Sequence, residues 1–147
     1  MLVRNPGPGG RAATFVAALV LAGCGDLRRE CDAVVQTANA FLAESAKKSP
    51  SPAATPEQAA KEALETAARY EKLASDLAAV RVESDELAPE VERYRDLAGR
   101  SARSLRATAD ALRTGRFEQA RKERVELDHA AKSEAPLVAR INAICGK

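Results

Sequence analysis

Apolar residues recur at intervals of three and four almost without interruption from Leu27 to Cys145. That spacing gathers them on one face of an α-helix, and no alternating stretch of strand length competes with it. The one clear interior breaker cluster is Ser49, Pro50, Ser51, Pro52, Ala53, Ala54, Thr55 and Pro56. Its prolines lack N–H donors and fix φ, which predicts an extended surface loop. The chain is therefore confined to packing helix against helix.

Four helices are predicted, over about residues 26–48, 56–82, 85–114 and 116–145. The first has a stripe of Leu27, Cys31, Val34, Ala38, Phe41 and Leu42. The second opens on Thr55 as N-cap with Pro56 at its first position and Glu57 in its first turn, a favourable start. Its stripe is Ala63, Ala67, Tyr70, Leu73, Leu77 and Val80. The third begins near Ser84 or Asp85, and Leu87, Val91, Tyr94, Ala98, Ser101, Leu105, Ala109 and Leu112 follow a heptad seam. Pro89 falls in or just past its first turn, where a missing donor costs little, and Gly115 ends it. The fourth helix carries Phe117, Ala120, Leu127, Ala131, Val138, Ile141 and Cys145, with a kink or break expected at Pro136. No glycine separates Val80 from Leu87, so a continuous second and third helix is the competing topology.

Before the first stripe stands a different signal. Arg4 and Arg11 precede an apolar run over residues 12–22, which closes on Leu21, Ala22, Gly23 and Cys24. The run is shorter than the roughly 20 residues needed to span a bilayer, and small residues precede Cys24 as a processing site requires. Leu21-Ala22-Gly23-Cys24 resembles the lipobox of bacterial lipoproteins. The resemblance implies a signal peptide over 1–23, cleavage before Cys24, acylation of its thiol, and a mature chain over 24–147. It also implies an extracytoplasmic address, with the periplasmic face of an outer membrane and a cell membrane both open. Gly25, not aspartate, follows the cysteine. More than one acyl chain is the regime of stable anchoring.

Placing the lipid on Cys24 leaves Cys31 and Cys145 as an even pair in an oxidising compartment. An intramolecular bridge, two free thiols and an intermolecular bridge are the alternatives. An even number of antiparallel helices returns the chain to the end where it began and brings the two cysteines together. The expectation is an all-α, up-down-up-down antiparallel four-helix bundle, rich in alanine and stapled by Cys31–Cys145. The mature part also resembles small all-helical envelope lipoproteins that pair an early cysteine with a late Ile-Asn-x-x-Cys ending, here Ile141, Asn142 and Cys145.

The same cut removes an apparent basic excess. The chain has 23 lysines and arginines against 21 acids. Arg4 and Arg11 leave with the signal peptide and no acid does, so the mature chain is formally neutral. Aromatics make up 3% of the chain. No nucleic-acid partner is expected from a neutral surface with so few stacking groups.

Catalytic patterns are weak. Glu126 and His129 form one Glu-x-x-His, but di-iron bundles use two, and His129 is the single histidine. No Gly-x-Ser-x-Gly occurs. No metal, no cofactor and no enzymatic activity are expected. Acidic Glu83, Asp85, Glu86, Glu90 and Glu92 precede a basic stretch that includes Arg95, Arg103, Arg106 and Arg113. Those four arginines are candidate contacts for an anionic surface; the competing reading is charge matched to a helix dipole. The expected function is a lipid-anchored, non-enzymatic interaction or structural module, monomeric or a weak homo-oligomer. Its partner would be an envelope protein or the cell wall. The alternative is a carrier of a small ligand or lipid between the helices.

Overall fold

The computed structural model describes the backbone of residues 17–47 and 55–146, with side chains from Asp26 onward. The start of the expected signal peptide, the Cys24 thiol and most of the proline-rich connection lie outside the described residues. Four helices make up the fold: α1 (Ala17–Ala46), α2 (Pro56–Ala79), α3 (Ala88–Arg113) and α4 (Phe117–Cys145). They pack as a ring in chain order, α1 on α2, α2 on α3, α3 on α4 and α4 on α1, while the diagonal pairs barely meet. That is the up-down-up-down bundle. The Cys31–Cys145 disulfide closes it, with S–S 2.09 Å and Cα atoms 5.5 Å apart.

The helix limits follow local chemistry. Thr55 is extended, and its hydroxyl accepts the Gln58 N–H at 3.2 Å, capping α2 ahead of Pro56. Gly115 has φ +70°, and the Arg116 and Gly115 amides bond back to the Ala111 and Leu112 carbonyls. This paired closure ends α3 at a conformation that favours glycine. Two limits differ from expectation. α1 begins at Ala17 rather than near Asp26, because its alanine- and leucine-rich start forms helix well and absorbs Gly23 and Gly25. α4 runs unbroken through Pro136; that residue is exposed, where water can satisfy the carbonyl freed one turn earlier.

Helices α2 and α3 are separate, and the break is made without glycine. α2 ends where Val80 turns extended, at φ −73°, ψ 119°. Ser84 then starts the next element, its hydroxyl accepting the Leu87 N–H at 3.3 Å and its carbonyl the Ala88 N–H at 2.9 Å. The Glu30 carboxylate of α1 accepts the Glu83 and Ser84 amides at 2.9 and 3.2 Å. Those donors would otherwise be orphaned in the connection. One residue before Cys31, α1 is therefore tied to the α2–α3 corner.

The hydrophobic core is uneven along the bundle. At the disulfide end Cys31, Val34, Leu73, Leu77, Leu87, Val91, Leu137 and Ile141 form one buried cluster drawn from all four helices. At the other end Ala60, Ala63 and Ala109 form a smaller cluster between α2 and α3, covered by Leu64, Leu105 and Leu112. Fully burying a leucine contributes about 1.5–3 kcal/mol, and alanine far less. The stripes of α2 and α3 are buried or half-buried as expected. Three expected core residues are not: Leu42 is 56% exposed, Phe117 55% exposed, and Ala131 is exposed too.

The bridge spans 114 residues of sequence. In the chain-entropy treatment a loop of that size contributes about 4–5 kcal/mol. Cys31→Ser should lower the unfolding free energy by about 4 kcal/mol and the melting temperature by more than about 10 °C. Reductant should reproduce the loss in the parent and leave the variant unchanged, as read by thermal circular dichroism.

Candidate functional site

Helix α1 packs more sparsely on its neighbours than α3 does on α2 and α4. The consequence is a groove of about 660 Å³ between α1 and α4. Val34, Val35, Ala38, Asn39 and Leu42 form its α1 wall. Its α4 wall includes Ala131, Ala135, Val138, Ala139 and Asn142. Both walls follow from the helical repeat: Val35, Ala38 and Leu42 recur at three and four, as do Ala131, Ala135, Val138 and Asn142. Val35 is 37% and Leu42 56% exposed, so the α1 wall of the groove meets water at both residues.

The groove has one charged residue at its apolar surface, Glu134, with Tyr94 of α3 beside it. The Tyr94 hydroxyl donates to Glu134 Oε1 at 3.2 Å. Tyr94 is only 3% exposed. Burial pushes its phenol well above the ordinary range, and the Glu134 charge and hydrogen bond add to the shift. Tyr70 of α2 is pushed up too, first by burial and then by Glu134. Its ring lies 4.9 Å from that of Phe41 in α1, at a tilt of 49°, a favourable aromatic geometry. Phe41, Tyr70, Tyr94 and Glu134 thus bring one side chain from each helix to the middle of the bundle.

The candidate arginines divide. Arg95 pairs with Glu92 one turn away, and Arg106 forms a two-pronged pair with Glu71 of α2, one contact at 2.7 Å. Arg103 and Arg113 have no acid partner among the described residues. Arg103 lines a gap of about 580 Å³ between α3 and α4 that also holds Arg100, Glu123, Glu126 and His129. Glu126 and His129 do share that face. Glu123 in the same gap is held by the Ser104 hydroxyl and the Gln119 amide, both at 2.7 Å. Cation and anion are mixed there, so the gap is no simple anion site. Among the described residues no three His, Cys, Asp or Glu side chains come together as a metal site, and no helix is long and apolar enough to cross a membrane.

Nearer the disulfide, Glu90 is 8% exposed and doubly paired. Arg93 bonds its Oε1, and Arg140 of α4 bonds its Oε2 at 2.9 Å. This pair ties α3 to α4, and its satisfied carboxylate reads as structural.

No protein-family model, curated protein or solved structure matches the chain. Sequence reading expected a site between the helices only as the carrier alternative and did not place it between α1 and α4. Ala38 and Leu42 of the groove's α1 wall lie on the expected core stripe, and Val35 stands seven residues before Leu42.

The raised phenols have a pH consequence. Below pH 10 folded and unfolded chains both keep the Tyr94 proton; above the unfolded value of 10.0 only the folded chain keeps it. Stability must therefore fall as pH rises above 10. Tyr94→Phe should lose stability less steeply in that range than the parent. Denaturant unfolding at stepped alkaline pH, followed alongside phenolate absorbance, checks the slope.

Proposed function

We propose that this chain is a lipid-anchored envelope protein, attached through Cys24, whose helical bundle is a non-enzymatic interaction module. The observation that carries the interaction reading is the open α1–α4 groove with Val35 and Leu42 on its lip. Two large apolar side chains half out in water at one groove cost hydration free energy that a partner would recover. The anchor half of the reading rests on the lipobox-like Leu21-Ala22-Gly23-Cys24. Cys24 and Cys31 share α1. Seven helical residues amount to about 10 Å, so a lipid on Cys24 would hold the stapled end of the bundle close to the bilayer. The groove would then run away from the membrane along the side of the bundle. A periplasmic outer-membrane location, with an envelope protein or the cell wall as partner, fits this placement.

The carrier reading has one observation in its favour, the same groove, whose volume lies within the range of small-molecule pockets. Its open side weighs against it, because such pockets bury most of the ligand surface.

Cys24→Ser should leave the protein unlabelled by an alkynyl fatty acid that marks the parent, and should release it from the membrane fraction. Labelling of the variant would refute the anchor. A photocrosslinking residue at Leu42 should give discrete protein adducts in intact envelopes, and one at Val125 should not. A stoichiometric small molecule on the purified protein in native mass spectrometry, without adducts at Leu42, would favour the carrier.

A further inference from the structure

We infer that the α1–α4 groove receives an amphipathic helix of a partner protein, with a lysine or arginine of that helix placed against Glu134. The inference rests on the interaction-module reading and names the partner's chemistry.

Shape points to a helix. The α1 wall presents Val35, Ala38 and Leu42, and the α4 wall presents Ala131, Ala135 and Val138. Each is a seam at three-and-four spacing, the surface into which another helix sets its side chains. Alanines on the α4 wall permit a close approach. From Ala131 to Asn142 the wall is about 16 Å long, room for roughly three helical turns. Two facing helical seams, spread apart and exposed, match a fifth helix better than a compact ligand.

Charge points to a cation. Glu134 is the groove's only charged residue. It has one partner among the described residues, the Tyr94 hydroxyl on Oε1. That neutral donor leaves the negative charge uncompensated and Oε2 available. Seating a purely apolar helix there would strip water from an unpaired carboxylate, which is costly. A lysine or arginine among the helix's apolar residues removes that cost with a charge-assisted hydrogen bond. A second copy of this chain fits poorly, because the facing groove would offer no cation to Glu134, the groove's only charged residue.

The test uses the purified protein and synthetic capped helical peptides with leucine and alanine on one face. A single central residue of that face is lysine, glutamine or glutamate, and binding is read by fluorescence anisotropy. The lysine peptide should bind about fivefold tighter than the glutamine peptide, and the glutamate peptide weakest. Glu134→Gln keeps an oxygen for the Tyr94 hydroxyl and should abolish the preference. Glu134→Lys should reverse it. Leu42→Ser should weaken all three peptides, and Val125→Ser none. Equal binding of the three peptides overturns the inference, as does a preference that survives in Glu134→Gln. Stoichiometric binding of dodecylamine with no binding of the lysine peptide overturns it in favour of a small amphiphile. Because these measurements use chosen peptides, their failure is separate from failure of the crosslinking at Leu42, which tests the interaction module itself.

Discussion

A single covalent bond decides how α1 belongs to this bundle. α2, α3 and α4 pack closely in sequence order, and α1 touches α2 and α4 more sparsely. Without the Cys31–Cys145 bridge, α1 would depend on a few apolar side chains near Val34 and on the Glu30 carboxylate over the α2–α3 corner. Oxidation converts that marginal contact into a permanent one, because the unfolded chain loses the freedom to separate its ends. The two devices also cooperate. Glu30 precedes Cys31, so fixing the cysteine holds the carboxylate over the Glu83 and Ser84 amides.

The staple also explains where the core can be thin. Large side chains concentrate near the disulfide, whereas the opposite end relies on Ala60, Ala63 and Ala109 between α2 and α3. Alanine faces bring helix axes together but bury little area. The end that recruits all four helices is the end where chain entropy has been removed. The groove begins beside that end, at Val34 and Ile141, and extends to Leu42 and Ala131 between α1 and α4.

Fold class, helix count and cysteine pairing were legible because each rests on local or end-to-end arithmetic. The periodic stripes mark the helices, Thr55 and Gly115 mark limits, and an even helix number brings Cys31 to Cys145. The separation of α2 from α3 was only half legible. Ser84 and Pro89 signal a start, but the acceptor that stabilises the corner is Glu30, 53 residues from Glu83. A tertiary hydrogen bond of that span leaves no periodic trace. The groove was hidden for a related reason. The α1 repeat gives Leu42 the same standing as Phe41, and only the stand-off of α1 from α4 decides that Phe41 reaches Tyr70 while Leu42 meets water. The arginines of α3 show a partial converse: Glu71 and Glu92 take up Arg106 and Arg95, whereas Arg103 and Arg113 keep no acid partner among the described residues.

The Tyr94–Glu134 contact joins the two halves of this argument. Tyr94 needs a hydrogen-bond partner because it is buried, and a buried hydroxyl left unpaired costs about 1–3 kcal/mol. A neutral acceptor such as glutamine would meet that need without bringing a charge to an apolar wall. Glutamate meets it with a charge that nothing among the described residues compensates. Glu134 is itself only half-buried, so water solvates that charge in the free protein. In the proposed complex the same Oε1 would hold the phenol while Oε2 meets the partner's cation. In that arrangement the partner's charge is sensed by a residue already bonded to the core, and binding would tighten the contact between α3 and α4 beneath it.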